Sequence, residues 1–518
     1  MLYESRQDIP SRYKWDLSTI FPSDQDWEDE IKRVTALIEK LPSFQGQLSE
    51  PNTLLRWLKT WEELFRTLGK IRIYAHCHYS VNKADTAATV KMNRAMSLMA
   101  KAQAAAAFAE PEILTIGLNT LREWEKSLPE LAVYDHYFEN LYRLKKHVRT
   151  AEVEELLGQL LDPFRTSTNT HNILADTELT FQDAVSSQGE HFPVAQGTIG
   201  ALRVHPDRKV RRTAWQSYAD AHLSYKNTMA NCLSAGVKQN VFLARTRRYD
   251  SALEAALSPS NIPTQVFHNV INTFQRNLPV WHRYWRLRRR ALGYEKLHPY
   301  DIKAPLLQST PKIPFEQAVE WICQGLEPMG KEYVEIIRRG IWNENWVDVY
   351  PNKGKASGAF STGSPGTPPL ILMSYNDDIY SLSTLAHELG HSIHSYYTWQ
   401  TQPFVYSHYS LFVAEVASNF HQALVRDYLF RTQSERNFQI ALLEEAFSNF
   451  HRYFFIMPTL ARFELEIHRR TEQGIPLTAE SLIECMAELF QEGFGQEVEM
   501  DKDRVGITWA QFHTHLYA

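Results

Sequence analysis

The chain has 518 residues, which at roughly 150 residues per domain is enough for several domain-sized units. Hydrophobic residues make up 44% of the chain and charged residues 22%, a composition that excludes a disordered or fibrous protein. The net charge of −5, from 55 Lys and Arg against 60 Asp and Glu, excludes a strongly basic protein that binds nucleic acid or an anionic membrane.

Cysteine usage and the opening residues indicate the compartment. The four cysteines lie far apart without a CxxC pair, so neither a disulfide framework nor a cysteine zinc site is predicted. Residues 1–17 carry charges and a proline where a signal peptide needs an apolar segment. The apolar stretch Met96–Leu118 is interrupted by charged residues, which argues against a membrane span. We therefore expect a cytoplasmic protein without a membrane partner.

Helical periodicity dominates the first 300 residues. Apolar side chains that recur near every 3.6 residues predict helices over Ser49–Gly69, Asn82–Ala109, Ala151–Leu161, Arg208–Arg245 and Thr264–Leu292. The rhythm breaks at Ser186–Gly200, which has three glycines and a proline. We place a boundary there, between an N-terminal helical region, 1–190, and a catalytic region, 191–518.

The segment Tyr350–Tyr380 differs from its surroundings. A Gly- and Ser-rich loop precedes the apolar run Leu370–Met373, which predicts a strand. A helix is expected to start near Ser381–Ser383, with Asp377 or Asp378 among the candidate N-caps. We expect the Leu370–Tyr375 strand to be an edge strand on which a peptide pairs through its main chain.

Three further helical runs follow this segment. They are Phe412–Leu429, Phe438–Glu472 with a break or kink at Pro458, and Thr478–Glu492.

The sequence Leu385-Ala386-His387-Glu388-Leu389-Gly390-His391 contains the HExxH pattern. On a helix, His387 and His391 face the same side, so that two imidazoles can bind one metal, and Glu388 can take a proton from water. Two core histidines on an ordinary amphipathic helix are the alternative. The pattern therefore needs a third ligand before it predicts a zinc site.

Elimination identifies that third ligand. A metzincin needs glycine and histidine where this chain has His394 and Tyr397, so that class is excluded. Between His391 and Asp427 the only acidic residue is Glu415, which lies in an apolar helical context. Burying a carboxylate is costly unless it is paired or bound to metal. His387, His391 and Glu415 therefore predict a catalytic site for one Zn²⁺, with Glu388 as general base.

The chain resembles the oligoendopeptidase F group of the M3 peptidases. The motifs that carry the resemblance span the chain: YKWDL at 13–17, DRKVR at 207–211, GKASGAF at 354–360, ILMSY at 371–375, STLAHELGHSIH at 383–394 and FVAEVAS at 412–418. The resemblance implies a mainly α, two-lobed fold with a small β-sheet next to the HExxH helix and a deep substrate channel. It also implies one zinc and the cleavage of short unstructured peptides.

Two departures from the family pattern bear on catalysis. The family usually continues the Glu415 motif with Thr-Phe-Asn-Glu, whereas this chain has Asn419-Phe420-His421-Gln422, which removes a nearby carboxylate and puts the support of the zinc ligands in doubt. The family's final tyrosine-rich segment, whose hydroxyls stabilise the oxyanion, is expected to be missing after residue 518. The resemblance implies that His515 is the histidine that faces the substrate, with His513 as the competing assignment.

The sequence therefore predicts a zinc endopeptidase for short peptides. The alternative is a catalytically impaired, peptide-binding remnant of the same fold. The run Trp281–Arg290 mixes Arg with Trp and Tyr, but with this overall charge it predicts a helix with stacked aromatic rings, and no nucleic-acid partner is expected.

Overall fold

The computed structural model describes residues 3–307, 309–356 and 358–511, and most of them are helical. The first helices in chain order are α1 (Asp24–Lys40), α2 (Pro51–Val81), α3 (Thr86–Ala106), α4 (Ala109–Ile116), α5 (Leu118–Ser127) and α6 (Asp135–Leu144). The next are α7 (Ala151–Ile173), α8 (Ile199–Leu202), α9 (Arg208–Ser224), α10 (Lys226–Thr246), α11 (Ala252–Leu257), α12 (Thr264–Arg276) and α13 (Leu278–Ala291).

The second half of the chain continues in the same way. Its helices are α14 (Phe315–Gly325), α15 (Lys331–Trp342), α16 (Ile379–Thr401), α17 (Leu411–Thr432), α18 (Arg436–His451), α19 (Met457–Glu472), α20 (Ala479–Phe494) and α21 (Lys502–Gly506). Among the described residues, no helix is both long and apolar enough to span a bilayer.

Five short strands form two small sheets in the described parts of the chain. They are β1 (Ala184–Val185), β2 (His191–Phe192), β3 (Val347–Asp348), β4 (Phe360–Thr362) and β5 (Leu370–Leu372). β1 pairs with β2 in antiparallel fashion, and the second sheet has the order β3-β5-β4. The fold is therefore mainly helical with small sheets, as the sequence predicts.

The sheet order corrects one expectation. The strand predicted at Leu370–Met373 is present as β5, but it pairs with β3 in parallel and with β4 in antiparallel fashion. β5 is therefore central and fully buried, so its main chain has no open edge for a peptide. The expectation was wrong because the apolar run identifies a buried strand but not its neighbours, and β3 has only two residues.

Two predicted helical runs are divided by irregular turns. Arg208–Arg245 is split between α9 and α10 at Tyr225. Phe438–Glu472 is split by a π-helical turn, Arg452–Ile456, which precedes Pro458 at the start of α19. The proline lacks an N–H and its ring collides with the preceding turn, so the predicted break at this position is confirmed.

The chain forms two compact units, each built from two separate stretches. Unit 1 contains the residues up to Lys145 and Thr310–Glu445, and unit 2 contains Lys146–Ser309 and the residues from Ala446 onward. The boundary predicted near residue 190 falls within the first stretch of unit 2. The division of roles between 1–190 and 191–518 stays a prediction.

Aromatic side chains fill the cores of both units. In unit 1, Phe315 packs edge-on against Tyr375 just after β5. In unit 2, Trp285 from the Arg-rich run on α13 is fully buried and contacts Phe455 with a ring distance of 5.3 Å. Two of the aromatic residues of that run, Trp281 and Trp285, are thus core or core-edge residues.

Candidate metal centre

The HExxH helix, α16, begins at Ile379, two residues before the predicted start at Ser381–Ser383. Asp378 is its N-cap, and its carboxylate accepts a hydrogen bond from the backbone N–H of Ser381 at 2.7 Å. One turn separates His387 from His391, and their Nε2 atoms lie 3.2 Å apart. The two imidazoles therefore converge on one point, as the spacing requires.

Helix α17 brings Glu415 to the same point. Its Oε2 lies 3.4 Å from His387 Nε2, and its Oε1 lies 3.9 Å from His391 Nε2. Each of the three residues offers one ligand atom, and these atoms lie within 4.8 Å of one another. The Ser418 hydroxyl, one turn along α17, donates to Glu415 Oε2 at 3.0 Å. Two imidazole nitrogens and one carboxylate oxygen are a donor set that suits Zn²⁺ and leaves a coordination position open.

A glycine allows α16 and α17 to approach this closely. A Cβ atom on Gly390 would lie 2.6 Å from Ser418 Cα and 2.8 Å from the carbonyl oxygen of Ala417. Both of these are backbone atoms, so a larger residue at 390 requires α17 to move. Gly390 therefore sets the distance between the helix that carries the histidines and the helix that carries Glu415.

Glu388 is buried beside the convergence point. The backbone N–H of Ser361, on β4, donates a hydrogen bond to its carboxylate. Burial raises the pKa of Glu388 to about 7, and the negative charge of Glu415 adds to the shift, while the hydrogen bond from Ser361 opposes it. A carboxyl group with a pKa close to neutral is suited to accept and release a proton.

A polar network that the sequence analysis missed lies behind His387. Gln422 Oε1 is 3.0 Å from His387 Nδ1, and the Gln422 amide nitrogen donates to Ser383 Oγ at 2.8 Å. Ser383 in turn donates to Glu445 Oε1 at 2.6 Å. The family pattern has a glutamate where this chain has Gln422. Here a carboxylate comes instead from Glu445 on α18, and it lies two hydrogen bonds beyond Gln422.

The remaining histidines singled out in the sequence are His394, His513 and His515. His394 stacks on Tyr409 with a ring distance of 3.8 Å, and burial lowers its pKa, which agrees with a packing role. His513 and His515 lie outside the described residues, so the assignment between them stays a prediction.

Comparison with known proteins identifies the family. The model of peptidase family M3 matches residues 201–518, and that of oligopeptidase F matches residues 112–181. The chain belongs to peptidase family M3. This M3 peptidase is 35% identical to oligopeptidase PepF of Bacillus subtilis over 514 residues, covering 99% of this chain and 76% of the relative.

Solved structures give the same result. A peptidase from Chlamydophila abortus, 29% identical, matches with a TM-score of 0.87 and covers 100% of this chain and 87% of its own. Oligoendopeptidase-F from Enterococcus faecium, 28% identical, matches with a TM-score of 0.72 over 95% of this chain and 84% of its own. The M3 peptidase described here is thus a metallopeptidase with peptide substrates.

Proposed function

We propose that this M3 peptidase is a zinc endopeptidase that hydrolyses short unstructured peptides. His387, His391 and Glu415 hold the metal, and Glu388 is the general base. The convergence of three ligand atoms of zinc-binding type within 4.8 Å supports this proposal most directly. A substrate-facing role for His515, a cytoplasmic location and the absence of nucleic-acid and membrane partners stay predictions.

The residues divide the chemistry among themselves. A Zn²⁺ ion bound by this donor set supplies Lewis acidity, which polarises a peptide carbonyl and acidifies water. Glu388 accepts the proton of the attacking water at its carboxylate and passes it to the departing amine. Burial, the main cause of its raised pKa, brings this carboxyl group closer to neutral pH than an exposed glutamate. Burial lowers the pKa of His391, which favours the neutral imidazole that a metal requires.

A quenched fluorescent peptide tests the proposal. Turnover should require zinc and stop with a chelator. Replacing Glu388 with Gln should lower kcat/KM by about 10²–10⁴-fold because the general base is lost, whereas the zinc content should stay at one ion per chain. Glu332→Gln, at an exposed position on α15, is the matched control and should keep wild-type turnover.

Two results would contradict the proposal in different ways. A chain that holds no zinc after incubation with the metal would refute the ligand assignment. A zinc-loaded chain without turnover would support the alternative, a peptide-binding remnant of the same fold.

A further inference from the structure

The network behind His387 connects three helices. His387 and Ser383 lie one turn apart on α16, Gln422 and Arg426 lie one turn apart on α17, and Glu445 comes from α18. Arg426 donates to both carboxylate oxygens of Glu445, from Nε at 2.9 Å and from Nη2 at 3.0 Å. We refer to Gln422, Ser383, Glu445 and Arg426 as the relay.

The ion pair at the far end of the relay determines the direction of every hydrogen bond in it. Glu445 is 4% exposed, and its carboxylate, ionised opposite Arg426, only accepts hydrogen bonds. Ser383 must therefore donate its hydroxyl proton to Glu445, which leaves the Ser383 oxygen free to accept. The Gln422 amide nitrogen then donates to Ser383, which turns the amide oxygen towards His387.

The amide oxygen of Gln422 makes the last hydrogen bond of the series, with His387. An oxygen acceptor 3.0 Å from His387 Nδ1 requires that Nδ1 carry the proton. In the neutral ring the lone pair is then on Nε2, the atom that lies 3.2 Å from His391 Nε2 and 3.4 Å from Glu415 Oε2. The ion pair on α18 and α17 thus determines which nitrogen of His387 is available to a metal.

We propose that Glu445, acting through Ser383 and Gln422, is a positioning residue that fixes the tautomer and the ring orientation of His387. This inference rests on the proposed zinc site and adds to it a positioning residue, Glu445, that acts on His387 only through Ser383 and Gln422. The relay delivers a neutral amide to His387, so it adds no third negative charge next to Glu388 and Glu415. The carboxylate that orients the ligand is instead neutralised by Arg426.

The zinc affinity of the metal-free chain tests the relay without relying on turnover. Affinity is measured by competition with a chelator of known strength. Ser383→Ala and Glu445→Gln should each weaken zinc binding by about 10–100-fold, the usual effect of losing an outer partner of a ligating histidine. The variant with both changes should bind zinc no more weakly than the single variant with the lower zinc affinity. The reason is that both changes interrupt the same path of hydrogen bonds. Ser383→Thr, which keeps the hydroxyl, should restore affinity.

Two controls separate positioning from a general loss of structure. Ser381→Ala changes a serine of the same helix that is buried to a similar extent, 7% exposed against 8% for Ser383, and should leave zinc affinity unchanged. Thermal unfolding of each variant reports stability separately. Relay variants that lose stability but keep wild-type zinc affinity would overturn the inference, as would losses that multiply in the double variant. A wild-type chain that does not bind zinc would refute the proposed function instead.

Discussion

Unit 1 contains two buried carboxylates, Glu445 and Asp348, that are each held by cationic side chains but whose other hydrogen bonds end in different places. The bonds of Glu445 run through the relay to a candidate metal ligand. Asp348, on β3, pairs with Lys355 at 2.7 Å and with Arg6, and it accepts a hydrogen bond from the backbone N–H of Trp15 at 3.3 Å. Its described partners thus tie the opening segment of the chain to the sheet.

Two further hydrogen bonds to main-chain carbonyls support the same structural role for Asp348. The backbone N–H of Val349 donates to the carbonyl of Tyr13 at 3.0 Å, and the Trp15 indole donates to the carbonyl of Trp346 at 2.9 Å. Two of the residues in the YKWDL motif of the opening segment therefore hold that segment against β3. A buried ion pair is by itself weak evidence of function, and the path of its remaining hydrogen bonds is what distinguishes the two sites.

Among the changes that would distinguish the role of Asp348 from that of Glu445, Asp348→Ala is expected to have the largest effect. The change leaves Lys355, 1% exposed, without its carboxylate and should lower the free energy of unfolding by about 3–5 kcal/mol. Zinc affinity of the folded chain should not change, because no described bond of Asp348 leads to His387, His391 or Glu415. Urea-induced unfolding and chelator competition measure the two quantities.

An exposed ion pair of the same length is the control for burial. Arg338 and Glu320 also lie 2.7 Å apart, but their side chains are 37% and 41% exposed. Glu320→Gln should therefore change the free energy of unfolding by less than about 1 kcal/mol. Equal losses at Asp348 and Glu320, or a loss of zinc affinity in Asp348→Ala, would break the comparison.

An intermediate effect is expected where α16 meets α17. Gly390→Ala should cost about 1–3 kcal/mol of stability because the new methyl group meets the backbone of α17. It should also weaken zinc binding, since Glu415 lies on the displaced helix. Both quantities can be measured on one preparation.

A glycine-to-alanine change where the new methyl group has room should change stability in the opposite direction. Gly158 lies inside α7, and a Cβ atom there has no described heavy atom within 4 Å apart from its chain neighbours and the backbone of its own helix. Gly158→Ala should stabilise the chain by about 0.5–1 kcal/mol because alanine favours the helix. If Gly390→Ala stabilises the chain as Gly158→Ala is expected to, helix propensity and not helix contact determines the result at residue 390.

The convergence of His387, His391 and Glu415 was largely predictable from the sequence because its determinants are local. The spacing of His387 and His391 places them on one helix face, and the scarcity of acidic residues after them singles out Glu415. The cap at Asp378 was one of several N-cap candidates that the sequence offers, since aspartate is preferred before a first helical turn.

The relay was not predictable for the opposite reason. Its members come from three helices, and 62 positions separate Ser383 from Glu445. A serine, a glutamine and an ion pair have no characteristic spacing that signals a link to a histidine. The central position of β5 was missed on similar grounds, because β3 is too short to give a periodic pattern.

A pH-dependent effect is expected for a third carboxyl group, Glu464 on α19 in unit 2, and it sharpens the contrast with the paired carboxylates. Burial raises the pKa of Glu464 to about 8. The native chain therefore keeps the proton up to about pH 8, whereas an unfolded chain releases it near pH 4.3. Between these values the native state binds more protons, so the contribution of Glu464 to stability is complete at low pH and is lost as the pH rises.

Glu464→Gln removes this titration. The variant should gain about 4 kcal/mol of stability relative to the wild type between pH 5 and pH 9, at about 1.4 kcal/mol per pKa unit. Urea-induced unfolding at both values measures the difference. A difference that does not depend on pH would mean that Glu464 is already ionised in the native state, and burial alone would then not distinguish it from Glu445, whose charge is balanced by Arg426.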